Sequence, residues 1–310
     1  MDEGNETYVT YFILVGLSEY PRAQVIFFCL LLMSYLIILL GNSLILLLVH
    51  YDSWLHTPMY FFLSNLSFLD MCYTSSSVPQ VLINCLVRIP SISLGQCLAQ
   101  MYADLYFGVV ECLLLAVMAY DRSIAIGDPL RYPVRMSPQL CVKLAVMSWV
   151  AAFLLTVVPT LTMPLEFCGH HMINHFSCEL LAILKGACND LEFYEWLMMA
   201  TSSLTLLVPF AFILASYGRI LRAVLKMHSA EGQKKAFSTC SSRITVVVIF
   251  YGTAISVYMI PQNKANQDQD KIISMLYGIL PPMLNPLIYS LRNKDVKMAL
   301  RKLVGEKNVS

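Results

Sequence analysis

The chain has 310 residues, of which 57% are hydrophobic and 13% charged, with a net charge of +1. A soluble domain carries nearer a quarter charged residues, so a water-facing shell over so apolar an interior is excluded. A mean hydropathy of +0.63 places the chain in a bilayer. The cations are split among short connections, which also excludes a nucleic-acid surface and leaves membrane lipids as the surrounding medium.

Residues 1–24 open with the acids Asp2, Glu3 and Glu6 instead of a basic n-region, and the apolar run 11–17 is short. No cleavable signal peptide is expected, and the first span serves as the membrane signal. Asn5-Glu6-Thr7 is an acceptor sequence for N-glycosylation. Apolar runs able to cross roughly 30 Å of hydrocarbon then recur near 25–49, 58–84, 97–124, 140–163, 194–221, 236–260 and 271–290. Pro58 marks a helix start, where a missing N–H costs nothing. Pro79, Pro159, Pro209 and Pro286 fall inside runs and predict kinks that neighbouring helices accommodate. Residues 292–303 are basic and amphipathic, as in a short helix lying on a membrane surface.

Sixteen of the 21 Lys and Arg residues lie in or beside alternate connections and in the tail. This asymmetry orients residues 1–24 outside, a seven-transmembrane domain over 25–290, and a cytoplasmic amphipathic helix and tail over 291–310. The expected fold class is an all-α membrane protein, a seven-helix bundle at the plasma membrane. Such a count suits a receptor, a retinal-type pump or some transporters. A retinal pump requires a lysine within the seventh span, and 272–290 has none. Inverted repeats of the transporter kind are not evident.

The third span carries the strongest local signal. Asp104, Glu111 and Arg122 are 7 and 11 residues apart, so at about 100° per residue they fall within roughly 20° of one line. Lipid does not tolerate such a stripe, so it faces the bundle interior. Asp121-Arg122 closes the span as an ion pair at the membrane face. Glu111 lies about 16 Å deeper than Arg122, and Asp70, twelve residues past Pro58, reaches a similar depth. With Asn42 and Asn285 beside them, these carboxylates fit either a hydrogen-bonded polar core or a site for a proton or a sodium ion. Asp104 lies about two turns from Cys97, at pocket depth. It fits either an internally bonded acid or the partner of an amine ligand.

Of ten cysteines, Cys97, Cys168, Cys178 and Cys188 fall on the outer side. Four cysteines allow three pairings. His175 and Cys178 have the spacing of a chelating pair, but a Cys178 in a disulfide has no thiolate to give, and no metal site is assigned. No nucleophile–base spacing rises above chance, so an enzyme is not expected.

Five segments carry a resemblance that runs nearly end to end. Leu55-His56-Thr57-Pro58-Met59-Tyr60-Phe61-Phe62-Leu63-Ser64, Met118-Ala119-Tyr120-Asp121-Arg122, Ser216-Tyr217, Lys235-Ala236-Phe237-Ser238-Thr239-Cys240 and Pro282-Met283-Leu284-Asn285-Pro286-Leu287-Ile288-Tyr289 occur in order on the expected helices. They resemble the signatures of the tetrapod-type (class II) olfactory receptors, within the rhodopsin-like G-protein-coupled receptors. The resemblance implies a receptor for a small volatile odorant that couples to the heterotrimeric stimulatory olfactory G protein and raises cyclic AMP, with no cofactor beyond a possible sodium ion near Asp70 and Glu111. It implies the disulfides Cys97–Cys178 and Cys168–Cys188. It implies a cytoplasmic switch of Asp121, Arg122, Tyr217 and Tyr289, with Arg243, Asn285 and Pro286 in the adjoining signatures. Family ligand positions map onto Met101, Asp104, Leu105, Gly108, Val109, Met198, Ser202, Thr205, Tyr251, Ile255, Tyr258 and Met275.

Departures from the pattern cluster at the cytoplasmic face. Ser123 stands where the family has Tyr, Gly127 where Cys is typical, and Arg243 where His is common. They bear on coupling strength, and weak coupling or a chemosensory role outside the nose is the alternative within the receptor class. Asp104 stands where an uncharged residue is commoner, and makes an amine the most specific ligand expectation. The alternative outside that class is a small-solute or ion transporter using Asp70, Glu111 and Asp104.

Overall fold

The computed structural model describes residues 10–16, 21–167, 172–184, 186–226, 230–258, 267–292 and 294–303. Helices α1 (Pro21–Tyr51), α2 (Pro58–Asn84), α3 (Leu94–Gly127), α4 (Pro138–Leu161), α5 (Glu192–Leu225), α6 (Ala230–Tyr258) and α7 (Gln267–Arg292) are followed by a short α8 (Lys294–Leu303). Their starts follow local chemistry. Thr57 is extended and Pro58 supplies the first turn of α2. Ser93 and Gln96 close a capping box on α3. The Ser137 hydroxyl accepts from Leu140 N at 3.4 Å, with Pro138 opening α4.

The chain is an all-α membrane bundle turned inside out relative to a soluble protein. Large apolar side chains such as Leu30, Leu40, Leu154, Trp196 and Val208 point outward, whereas Asn42, Ser67, Asp70, Glu111, Asp121 and Asn285 are buried. Each helix satisfies its own backbone, as hydrocarbon demands. Among the described residues, α1, α3, α4, α5 and residues 271–288 of α7 are long and apolar enough to cross a membrane. Helix α2 falls short because Ser64, Asn65, Ser67, Asp70 and Thr74–Ser77 interrupt it. In α6 only Ile244–Ser256 is a continuous apolar stretch.

Helix α3 is the axis, packed against α2, α4 and α5, while α1 leans on α2 and α7. At the α1–α7 crossing a side chain on Gly41 would meet Pro286 Cβ and Cγ at 3.0 Å, so only glycine lets the two backbones approach. At the other extreme α8 is pinned by buried Val296 and Ala299, by Tyr60 Oη donating to Asp295 Oδ2 at 3.3 Å, and by Lys302 Nζ 3.3 Å from Asp52 Oδ2.

Hydropathy did not predict a small sheet at the end opposite Arg122. Strand β1 (Tyr11–Leu14) pairs antiparallel with β2 (Ser91–Ser93), Phe12 facing Ile92, and parallel with β3 (Met172–Ile173), Ile13 facing Met172. Cys97 and Cys178 are disulfide-bonded, with Cα atoms 5.2 Å apart, and tie the start of α3 to the segment after β3. Phe12, Leu14, Ile92, Met101 and Ile173 pack around that bond. The N-terminal strand and the long loop thus form one lid over the disulfide end.

Candidate functional site

Polar side chains are stacked in three layers along α3. Nearest the disulfide, Asp104 lines two small cavities. The first, about 30 Å³, is shared with Tyr73, His175, Glu179, Ser274 and Tyr277. The second, about 40 Å³, is bounded by Leu105, Gly108, Val109, Ser202 and Thr205, with Cys112, Leu206 and Tyr277. Six of the twelve family ligand positions therefore border one space, and Met275 borders the other. Met101 and Met198 are buried in the cluster around the disulfide. Tyr251 is buried deeper, its hydroxyl donating to the Cys112 carbonyl at 3.3 Å and its ring 4.9 Å from that of Phe210. Ile255 packs on the same core. The side chain of Tyr258 lies outside the described residues.

Lining residues that escaped sequence reasoning include Tyr73, Cys112, Glu179, Leu206, Ser274 and Tyr277. Tyr73 lies three residues after Asp70 and so on the interior face of α2, a signal that was present in the spacing. Its hydroxyl hydrogen-bonds the Asp104 carboxylate. Tyr277 Oη would stand 3.1 Å from a Cβ on Gly108, so the absent side chain makes room for the phenol. Glu179 has no such signal. It comes from the loop, its placement fixed by the neighbouring disulfide. Glu179 accepts from Ser274 Oγ at 3.2 Å and lies 3.1 Å from His175 Nε2. His175 Nδ1 sits 3.0 Å from the Ser177 carbonyl. Burial pushes the His175 pKa down, but the charge and hydrogen bond of Glu179, the Ser177 carbonyl and the charge of Asp104 outweigh it and hold the pKa above 6.5.

A His175–Cys178 metal pair does not form. Cys178 is spent in the disulfide and His175 is engaged with Glu179. Among the described residues no group of three metal-ligating side chains converges. Cys188 is disulfide-bonded. Cys168 and Asn5 lie outside the described residues.

The middle layer is a cluster of oxygens with few donors. Asn285 Nδ2 donates to Asp70 Oδ2 at 2.9 Å, and Asn42 Nδ2 to the carbonyls of Ile38 and Pro282 at 3.0 and 3.1 Å. Glu111 lies close enough to Asp70 for the two carboxylates to interact electrostatically. Asp70 Oδ1, Glu111 Oε1, Asn42 Oδ1, Asn285 Oδ1 and Ser67 Oγ are buried without a protein partner. Orphaned acceptors in apolar surroundings are costly, so this layer has the donor chemistry that takes up a proton or a small hard cation.

At the far end Asp121 is fully buried. Its Oδ1 accepts from Tyr132 Oη at 2.7 Å, while Arg122 Nε approaches Oδ2 at 3.5 Å, an ion pair without hydrogen-bond geometry. The Tyr132 hydroxyl is held well above its usual pKa, by burial first and then by the Asp121 carboxylate, so it stays a donor. Tyr217 packs with Ile126, Ile220, Val224 and Cys240 where α3, α5 and α6 meet. Pro286 lies against Gly41. The side chains of Arg243 and Tyr289 lie outside the described residues. Ser123 Oγ donates to the Tyr120 carbonyl of its own helix at 2.8 Å.

Comparison with known proteins gives one answer. A family model described as "Olfactory receptor" matches residues 28–307. Human olfactory receptor 13H1 is 52% identical over 300 residues, covering 97% of each chain. Human olfactory receptor 13C9 is 49% identical over 310 residues, covering 98% of each. Mouse olfactory receptor 2C1 is 48% identical over 296 residues, covering 95% of each.

Proposed function

Because the chain belongs to the olfactory receptor family, a family of multi-pass G-protein-coupled receptors and not of enzymes, we propose that this odorant receptor binds a small volatile amine beside Asp104. Binding would activate the stimulatory olfactory G protein and raise cyclic AMP. The disulfide end faces outside and the Arg122 end the cytoplasm, with the seven-transmembrane domain over 25–290 and lipid contacts along α8. The observation that carries the ligand reading is the position of Asp104, shared by both cavities, with Glu179 across one and the hydroxyls of Ser202 and Thr205 across the other. A carboxylate anchored by Tyr73, with a second acid nearby, favours a cation among otherwise weakly polar walls.

The middle layer is the site of a sodium ion or shared proton whose loss accompanies activation. Asp121 and Arg122, with Tyr217, Arg243, Asn285, Pro286 and Tyr289, form the switch that the G protein reads. Glycosylation at Asn5 and the Cys168–Cys188 bond complete the outer side. Weak coupling is a second reading, favoured by Ser123, which turns its hydroxyl back onto its own helix.

The test is cyclic AMP in cells expressing the chain with the olfactory G protein, exposed to amines and to neutral isosteres of the same shape. An amine response abolished in Asp104→Asn at equal surface expression supports the reading. A response confined to neutral volatiles removes the amine anchor. Silence of a surface-expressed chain that becomes responsive on Ser123→Tyr establishes weak coupling.

A further inference from the structure

A third cavity lies apart from the Asp104 layer. Of about 350 Å³, it is the size of a small-molecule site and far roomier than the two spaces around Asp104. It sits between the disulfide-end termini of α1 and α2, under β1 and the loop residue Phe176. One side of it is apolar. Phe27 and Phe176 stack with ring centres 5.0 Å apart, and Val81 and Leu14 complete the floor. Phe176 closes on Gly16, where a Cβ would come within 2.9 Å of its ring.

Among the described residues, the charge on the polar side of this cavity has one sign. Arg88 borders it, and no Asp or Glu does among the described residues. Asn84 also borders it, with its orientation fixed: Gln80 Nε2 donates to Asn84 Oδ1 at 2.9 Å. That leaves Asn84 Nδ2 as a buried donor without a partner. Gln24 Nε2 is taken by the Cys85 carbonyl at 3.0 Å. A guanidinium beside an aromatic wall matches a carboxylate on an apolar body, because its charge is then met by a charge-assisted bond. A cation or a neutral hydrocarbon leaves it unmet.

We propose that this cavity is a second ligand site, distinct from the Asp104 site, that takes small amphiphilic anions of the alkyl or aryl carboxylate class. The anionic oxygens meet Arg88 Nη, and the apolar body lies against Phe27, Val81 and Phe176. Phe176 follows His175, and Val81 lines both this cavity and the smaller Asp104 cavity. Occupancy therefore bears on the wall of the Asp104 site without competing for it. The phosphate headgroup of an anionic lipid offers the same charge, and the test separates the two sources.

The experiment uses the full chain in nanodiscs of zwitterionic lipid, titrated with octanoate or octanol and read by saturation-transfer NMR and by thermal shift. Octanoate is expected to bind saturably and octanol at the same concentrations to give no saturable response. Arg88→Gln should weaken octanoate about tenfold or more, the loss of a charge-assisted contact, with Arg88→Lys intermediate and Asp104→Asn unchanged. Doping the nanodiscs with phosphatidylglycerol assigns the source: a raised octanoate midpoint identifies the lipid headgroup as the resident anion, and an unchanged midpoint identifies the free carboxylate. Equal binding of octanol and octanoate overturns the proposal, as does Arg88→Gln binding like the parent or octanoate lost on Asp104→Asn.

Discussion

Gly108→Ala tests the ligand site most directly, because the structure sets the size of the effect. Gly108 borders the 40 Å³ cavity, and a Cβ there would stand 3.1 Å from Tyr277 Oη. The phenol must yield by a few tenths of an ångström, while the methyl group takes up part of a cavity of only about 40 Å³. One methylene in an apolar pocket changes binding by about 1–3 kcal/mol, or about 10–200-fold. Gly108→Ala should therefore raise the half-maximal agonist concentration in the cyclic AMP assay about tenfold or more, most for the bulkiest agonist. Gly95→Ala is the control. It is exposed near the start of the same helix, nothing lies within 4 Å of its added Cβ, and it should shift potency by no more than about twofold. Equal potencies for Gly108→Ala and the parent across agonists of different size, at matched surface expression, would refute the assignment of this space to the odorant.

Two further outcomes follow from the lid. Cys97→Ser opens a loop of 81 residues, worth about 4–5 kcal/mol in a soluble chain and less here because membrane insertion already confines the reduced helices. Surface staining should fall sharply, and undiminished staining would deny the bond its structural role. His175 has its folded pKa above 6.5, so its pairing with Glu179 stabilises fully below that pH and is lost as pH rises through the raised value. The melting temperature of the reconstituted receptor should drop across that interval in the parent and stay level in His175→Gln. A parent melt that is flat with pH would show the pair contributes nothing.

The bundle was legible because lipid leaves the sequence few choices. Long apolar runs and Pro58 at a first turn each have a single local cause, and the structure places helices there. The stripe of Asp104, Glu111 and Arg122 was legible for the same reason, since helical spacing alone puts charges on the buried face. Residues whose position depends on distant partners were not legible. Strand β1 pairs with segments about 80 and 160 residues away, and a four-residue run carries no sign of such partners. Glu179 reached the cavity because the Cys97–Cys178 bond carried its loop there. Arg88 and Asn84 face a cavity formed only when α1, α2 and the loop meet. Even the low hydropathy of α2 is informative: its interruptions include Ser67 and Asp70 of the central layer and neighbour Tyr73 of the Asp104 layer.

The energetics of the switch bear on coupling. A millimolar to micromolar binding constant supplies about 4–8 kcal/mol. Moving a two-state bundle from 1:99 to 99:1 takes about 5.5 kcal/mol of differential affinity. At the micromolar end a ligand would have to spend about two thirds of its binding free energy on discriminating the two states, and at the millimolar end it has too little to do so. On the proposed function, the remainder comes from the G protein at the Arg122 end. There Asp121 is shared between Tyr132 and Arg122, and Ser123 offers no aromatic surface. Restoring that surface with Ser123→Tyr should raise the maximal cyclic AMP response while leaving agonist affinity in the absence of G protein unchanged, measured on the purified receptor. Were Ser123→Tyr instead to shift G-protein-free affinity by as much as it shifts the response, the substitution would be acting on the helix bundle, and the division of work between ligand and G protein would be wrong.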